Sequence, residues 1–253
     1  MIKKKQHDIK IFKNFLNSSD KNELKELFFD SFKHVLPLRL RTKKRLLLED
    51  KKLHKALIDF RKKNPREFGK IYDRFKIKAQ VRSFFFKKKF LKLFAKILNI
   101  KIKNLYISGF MLRLDAPEDK KHALDWHQDS AYYHINYPKF NSYVAYVPLT
   151  SNTSINGTIQ YVPRSNSRLL PHKRNKIKYS IKLTKSEMKK VKNFNINFGD
   201  VGVFHTNLKH RSGINNSKKI RTNLLCRFYD MSDSFNEGNE QYIFKSSGKT
   251  LLF

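Results

Sequence analysis

Apolar residues recur three and four apart through the first hundred positions of the chain, then change to short alternating runs. Leu24, Leu27, Phe28, Phe32 and Val35 predict an amphipathic helix that ends at Pro37. Its start is read at Ser18-Ser19-Asp20-Lys21-Asn22-Glu23, with Asp20 as the cap and Glu23 placed three later to reach back. A second helical stretch, 44–62, presents Leu46, Leu53, Leu57 and Phe60. Asn64-Pro65-Arg66-Glu67 opens a third, with proline in the first turn where its missing N–H costs nothing. Phe68, Ile71, Tyr72 and Phe75 form its apolar stripe. The fourth, 79–98, sets Val81, Phe84, Phe85, Leu91, Phe94 and Leu98 against lysines on its other side. Such a helix could lie on a membrane surface, but packing its aromatic side on a following sheet is the simpler expectation.

From residue 102 the pattern is that of strands. Leu105-Tyr106-Ile107, Phe110 to Leu114, Tyr143 to Val147 and Gly157 to Val162 are short β runs, divided by Asn, Asp, Gly and Pro. Residues 164–193 read as a basic, loop-rich excursion in which Thr184-Lys185-Ser186-Glu187 caps a short turn. Asp200 to His205 and Thr222 to Tyr229 are expected as the closing pair of strands. The expected class is α+β: helices over 1–100 packing on a core over 101–253, the two forming one structural unit. Short antiparallel strands with long loops suit a double-stranded β-helix, or jelly roll, which leaves few exposed edges and a mouth for ligands.

Composition narrows this reading. The 253 residues hold one cysteine, Cys226, so no disulfide can form within the chain and no cysteine-based metal site is available. The basic start, Met1 to Lys10, is not followed by an apolar run of signal-peptide type, and no stretch of about 18 apolar residues occurs. A soluble, cytoplasmic protein is expected. The net charge is +34, and residues 1–100 carry 30 Lys and Arg against 10 Asp and Glu, a net +20 that leaves +14 for the rest. That charge attracts polyanions whatever the fold. Yet the lysines are spread through every segment, and Lys, Asn, Ile and Phe together also reflect AT-rich codons.

The chemistry of the chain gathers around Trp126-His127-Gln128-Asp129-Ser130-Ala131-Tyr132-Tyr133. In an extended strand His127 and Asp129 leave the same face while Gln128 points the other way. An isolated His-x-Asp pair says little in a chain with nine histidines. Two histidines and one carboxylate, however, are the set that leaves three positions free on a non-haem iron(II), so a second histidine is sought downstream. His210 is the preferred candidate and His205 its rival. After His210 come a turn-like Gly213 to Ser217 and then Arg221, at the head of an apolar strand with Asn223 and Tyr229 on its face. Arginine suits a planar carboxylate, such as the far end of a keto acid. Trp126, Tyr132 and Tyr133 are expected to pack around the site.

The ordered set of His127-Gln128-Asp129, Asn156 to Ser165, Gly199 to His205, and His210-x-Ser212-x-x-Asn215-x-Ser217-x-x-x-Arg221 resembles the phytanoyl-CoA dioxygenase family of iron(II)/2-oxoglutarate oxygenases. The resemblance covers residues 105–232. It implies the jelly-roll fold, with His127, Asp129 and His210 as iron ligands and Arg221 on the distal carboxylate of 2-oxoglutarate. Gln128 and Ser212 match positions that line the family's site. The chain departs from the family at Pro163-Arg164-Ser165-Asn166, where Pro-Gly-Ser-His is usual, and at Tyr146, which stands for a frequent tryptophan. Neither departure removes a ligand. Retention of Asp129 favours hydroxylation over halogenation, since halogenating relatives lose this carboxylate. The implied reaction consumes O2 and 2-oxoglutarate, releases succinate and CO2, and acts on a small molecule, anionic ones included. Two other readings stay open: an inactive jelly roll that binds nucleic acid or another polyanion, and an oxygenase acting on nucleic acid, although the Arg-x-Asn-x-x-x-x-x-Arg ending of oxidative demethylases is missing.

Overall fold

A computed structural model describes residues 9–41, 48–119, 122–133, 141–175 and 178–230. Among these residues, six α-helices come first after a short strand β1 (Lys10–Phe12): α1 (Ser18–Phe32), α2 (Leu38–Arg41), α3 (Lys51–Lys63), α4 (Pro65–Ile77), α5 (Ala79–Phe85) and α6 (Lys88–Leu98). Strands follow, interrupted by two four-residue helices: β2 (Leu105–Asp115), α7 (Ser130–Tyr133), β3 (Ser142–Pro148), β4 (Ile159–Tyr161), β5 (Lys173–Asn175), β6 (Lys178–Ser180), α8 (Lys185–Met188), β7 (Lys192–Asn193), β8 (Val201–His205), β9 (His210–Ser212) and β10 (Arg221–Asp230). The protein is thus a mixed helix-and-sheet structure whose strands pair antiparallel.

The cap of α1 lies three residues before its expected place. Asn17 accepts from the Asp20 amide at 2.9 Å, and the Asp20 carboxylate accepts from the Asn17 amide at 3.0 Å, so Asp20 is the third residue of a capping box. The second helix begins at Lys51, capped by Asp50; Leu46 and the expected start at 44 lie outside the described residues. The stretch 79–98 is two helices. At roughly 100° per residue, a continuous helix would set the mean direction of Phe84 and Phe85 about 150° from that of Phe90 and Phe94. Extended backbone at Lys87 (ψ 136°) resets the phase, and all four rings are fully buried. The Lys87 ammonium is drawn to Asp20, at 2.8 Å, and to Glu23.

A five-stranded sheet in the order β1-β8-β3-β10-β2 lies between two layers. Strand alternation sorts its side chains. Ala145, Val147, Val201, Val203, Leu224, Cys226 and Phe228 join the core of the helical layer, where Phe94 stacks on Phe228 at 3.8 Å. Val144, Tyr146, Phe204 and Leu225 form a second core with Ile159, Phe194 and Ile196 on the side of the three-stranded sheet β7-β4-β9. The strands expected as a closing pair, β8 and β10, share a sheet with β3 between them. β9 and β10 belong to different sheets, so the turn after His210 joins two layers instead of making a hairpin. Within 164–193 the hairpin β5-β6 escaped notice because its residues are polar on both faces, whereas the Thr184/Glu187 capping box forms as read.

The helical layer also grips the start of β10. His54 of α3 accepts the Ile220 amide at 3.2 Å, and Glu49 takes Lys219 at 2.8 Å and the Ser151 amide at 2.7 Å. Among the described residues no helix is long and apolar enough to cross a membrane.

Candidate metal centre

His127 and His210 face each other as a single antiparallel bridge, with the two amide-to-carbonyl hydrogen bonds at 2.9 and 3.0 Å. Directly opposed residues send their side chains off the same face, and the imidazole centroids are 4.3 Å apart. Beyond His127 the chain bends into α7 and does not continue as a strand, yet the alternation survives for two residues. Asp129 points the same way as His127, and its Oδ1 lies 3.4 Å from His127 Nε2 and 3.6 Å from His210 Nε2. One donor atom from each of the three lies within 4.8 Å of the others, and all three residues are buried.

Hydrogen bonds behind the rings settle which nitrogens face inward. His127 Nδ1 is 2.7 Å from the Asp125 carbonyl and His210 Nδ1 is 2.9 Å from the Leu208 carbonyl. A carbonyl only accepts, so each Nδ1 carries a proton, and in the neutral ring each Nε2 turns a lone pair to the cavity. Burial lowers the pKa of His210 to about 4, which keeps it neutral at neutral pH. Burial would raise that of Asp129, but the Arg227 guanidinium, followed by the two histidines, holds it well below the usual carboxylate range. Arg227 grips Oδ2 through Nη2 at 2.7 Å and Nε at 3.2 Å, which leaves Oδ1 to the cavity. Its Nη1 donates to the Gly109 carbonyl at 3.0 Å. Gly109 marks a bulge in β2, with φ +64°, and a Cβ there would stand 2.9 Å from Arg227 Nη1. This position needs glycine both for its backbone and for the arginine lying over it.

These groups line one end of a cavity of about 130 Å³. Arg221 lines the other, with Asn223, Leu225 and Arg227 following at alternate positions along β10. Arg221 Nη2 donates to Asp115 Oδ2 at 2.7 Å, and Arg113 holds Asp115 Oδ1 at 2.6 Å. Burial alone would raise the Asp115 pKa; Arg113 and then Arg221 keep it well below the ordinary value. Two guanidiniums on one carboxylate leave a single positive charge in excess. Arg221 Nε and Nη1 are buried with no hydrogen-bond partner among the described residues. A buried donor left so costs about 1–3 kcal/mol, which an acceptor entering the cavity would offset. Asn223 Nδ2 is in the same position, while Asn223 Oδ1 is held by Asn152 at 2.6 Å. Asn152 also donates to the Tyr146 hydroxyl at 2.8 Å, and burial pushes Tyr146 up to about 12.

Of the other expected site residues, Ser212 lines the cavity and Tyr132 packs edge-on to His127 with centroids 5.6 Å apart. Trp126 is buried under the Arg211 guanidinium, and the Tyr133 side chain lies outside the described residues. Gln128 does not reach the cavity. It points away, as alternation requires, donates to the Arg168 and Asn207 carbonyls at 2.7 and 2.6 Å and accepts from the Leu170 amide at 2.8 Å. Its role is to tie two loops behind the site. His205 also faces away, because Phe204 takes the cavity side of β8; it packs on Tyr143 and accepts from the Asn207 amide at 3.0 Å. Tyr229 is not among the cavity-lining residues. Arg227, Asp115, Arg113 and Gly109 were missed from sequence. An arginine two steps of alternation beyond Leu225's neighbour Asn223, in a strand otherwise buried, was the available signal for Arg227.

No curated protein matches the sequence. Among solved structures, EvdO2 from Micromonospora carbonacea var. aurantiaca, complexed with 2-oxoglutarate, is similar over 61% of this chain and 65% of that one, at 16% identity and a TM-score of 0.53. The match therefore spans less than two thirds of EvdO2. The epimerase SnoN, in complex with Fe3+, alpha ketoglutarate and nogalamycin RO, is similar over 90% and 80% at 14% identity and a TM-score of 0.57. EctD from S. alaskensis with bound Fe is similar over 90% and 74%, at 14% identity and a TM-score of 0.58. At such identities the likeness shows a shared fold. The sequence model of phytanoyl-CoA dioxygenase (PhyH) matches residues 13–223, and on that match the chain belongs to the phytanoyl-CoA dioxygenase family.

Proposed function

We propose that the protein is an iron(II)- and 2-oxoglutarate-dependent dioxygenase that hydroxylates an aliphatic C–H of a small molecule and releases succinate and CO2. The observation that carries this is one cavity with three inward ligand atoms at one end and, at the other, an arginine whose Nε and Nη1 have no hydrogen-bond partner among the described residues. In this reading His127 Nε2, Asp129 Oδ1 and His210 Nε2 hold iron, and Arg221 holds the distal carboxylate of 2-oxoglutarate beside Ser212. Iron(II) with the keto acid supplies activation of O2. The chain's own part is to present the two imidazole Nε2 atoms, keep Asp129 ionised through Arg227, and hold the co-substrate at fixed distance from the triad. Apolar walls from Met111, Leu124, Ile159, Phe204 and Leu225 would exclude bulk water from the reacting centre.

The two sheets that face each other across the cavity support a jelly roll as the fold, and the core shared by α1, α4–α6 and the five-stranded sheet supports treating 1–100 and 101–253 as one structural unit. The single, buried Cys226 supports a cytoplasmic location. The test is formation of succinate from 2-oxoglutarate with iron(II) in air. Turnover in the wild type and its loss in His127→Ala are expected; no succinate, or equal turnover in the variant, would remove the oxygenase reading.

A further inference from the structure

A second and larger hollow, about 1070 Å³, opens beside the metal cavity between α3, α4 and β2. The two meet at Arg113, Asp115 and Leu124, which line both. Four cations, Arg61, Lys62, Arg113 and Lys178, border this cleft against two carboxylates, Asp115 and Asp119. Both carboxylates are already committed: Asp115 lies between Arg113 and Arg221, and Asp119 lies between Arg61 and His122. Lys62 is exposed at the rim and forms no ion pair among the described residues. The cleft therefore carries a net positive charge that its own acids do not neutralise.

Its floor bears an independent mark. Gly69 sits in the interior of α4, where glycine is the weakest ordinary helix former. A Cβ there would meet no atom within 4 Å, so no packing contact calls for a glycine. What the missing side chain leaves open is cleft volume, one helical turn before Tyr72 and beside Phe68, which line the same wall. A bare stretch of helix next to an aromatic ring is a seat for a flat or extended apolar group.

We infer that this cleft binds the body of an organic anion whose apolar part lies over Gly69 and Tyr72, whose negative group meets Lys62 and Arg61, and whose far end passes Leu124 to the metal cavity. The inference rests on the oxygenase reading for calling that anion the substrate; the seat itself does not depend on turnover.

Binding is measured by calorimetry on the full chain with Mn(II) and 2-oxoglutarate in the absence of O2. The probes are 2-naphthyl phosphate, 2-naphthyl sulfate and 2-naphthoate, with neutral 2-naphthol as reference. At least one anion binds about tenfold tighter than the naphthol, and the tightest of the three identifies the headgroup. Gly69→Phe weakens that anion about tenfold and Lys62→Glu about threefold or more, whereas Lys190→Glu, the same charge change outside the cleft lining, leaves it as in the wild type. Gly69→Ala, which strengthens the helix, raises the melting temperature and weakens the anion to a smaller extent, so the test stands even if the phenylalanine variant fails to fold. Equal binding of anions and naphthol, wild-type affinity in the folded Gly69 variants, or an equal loss in Lys190→Glu and Lys62→Glu would overturn the seat. Succinate formed without anion binding removes only this inference; anion binding without succinate removes only the oxygenase reading.

Discussion

The two ends of the cavity are incomplete in opposite senses. At the triad end every inward atom is a lone pair, because both imidazole protons are used behind the rings and Arg227 occupies the outer oxygen of Asp129. At the Arg221 end the inward atoms are N–H groups without acceptors among the described residues, beside a charge cluster one positive unit in excess. Apposed lone pairs repel one another until a cation lies between them, and buried donors cost stability until an anion arrives. On the proposed reading, the contrast is that of one small cavity taking two guests of opposite charge end to end.

The largest expected effect comes from removing a lone pair. His210→Ala should lower metal affinity by about 100-fold or more and take succinate formation to background, read by Mn(II) titration and a coupled succinate assay. Next is Arg221→Leu. Removing it should leave Asp115 balanced by Arg113 alone and abolish the excess charge, raising the KM for 2-oxoglutarate about 30-fold or more while metal titration is unchanged. If metal affinity fell as far as in His210→Ala, the two ends would not be separable.

Arg227→Met sharpens the contrast from behind. It leaves the triad atoms in place and frees Asp129 to turn, so metal affinity should fall about 10-fold, with a smaller change in the KM for the keto acid. The smallest effect belongs to a charge cluster that is already complete. Asp20 is buried with Lys87, Lys89 and the Asn17 amide, and although burial would raise its pKa, these partners hold it below the usual value. A depressed carboxylate stabilises the fold above its unfolded value, about 3.9, and loses that contribution as pH falls through the folded one. Asp20→Asn should cost about 1–2 kcal/mol at pH 7, with the gap to wild type closing below about pH 4 in thermal melts and succinate turnover at pH 7 unaffected.

The parts readable from sequence are those governed by short-range spacing. His127 and Asp129 fall on one face because side chains alternate, and Phe68, Ile71 and Phe75 line one side of α4 because helices repeat every 3.6 residues. What escaped depends on register or on competition between equivalent groups. Asn17 and Asp20 are both good caps, and only the observed frame lets each bond the other's amide. Arg227 reaches Asp129 over the space left by Gly109 at the bulge of β2, and a bulge in one strand is invisible from its partner's sequence. Gln128 sits between two site residues and yet serves the loops behind them, since proximity in sequence says nothing about which face is wet.

The grip of α3 on the entry to β10 has a consequence for how the molecule can be divided. Ile220, held by His54, immediately precedes Arg221, and Lys219 is tied to Glu49. The helices are thus part of the jig that aims a guanidinium into the cavity. Cutting the chain near residue 100 would leave the segment that carries every residue lining the metal cavity, but would let the head of β10 swing, so the excised β portion should lose its hold on the keto acid before its hold on the metal.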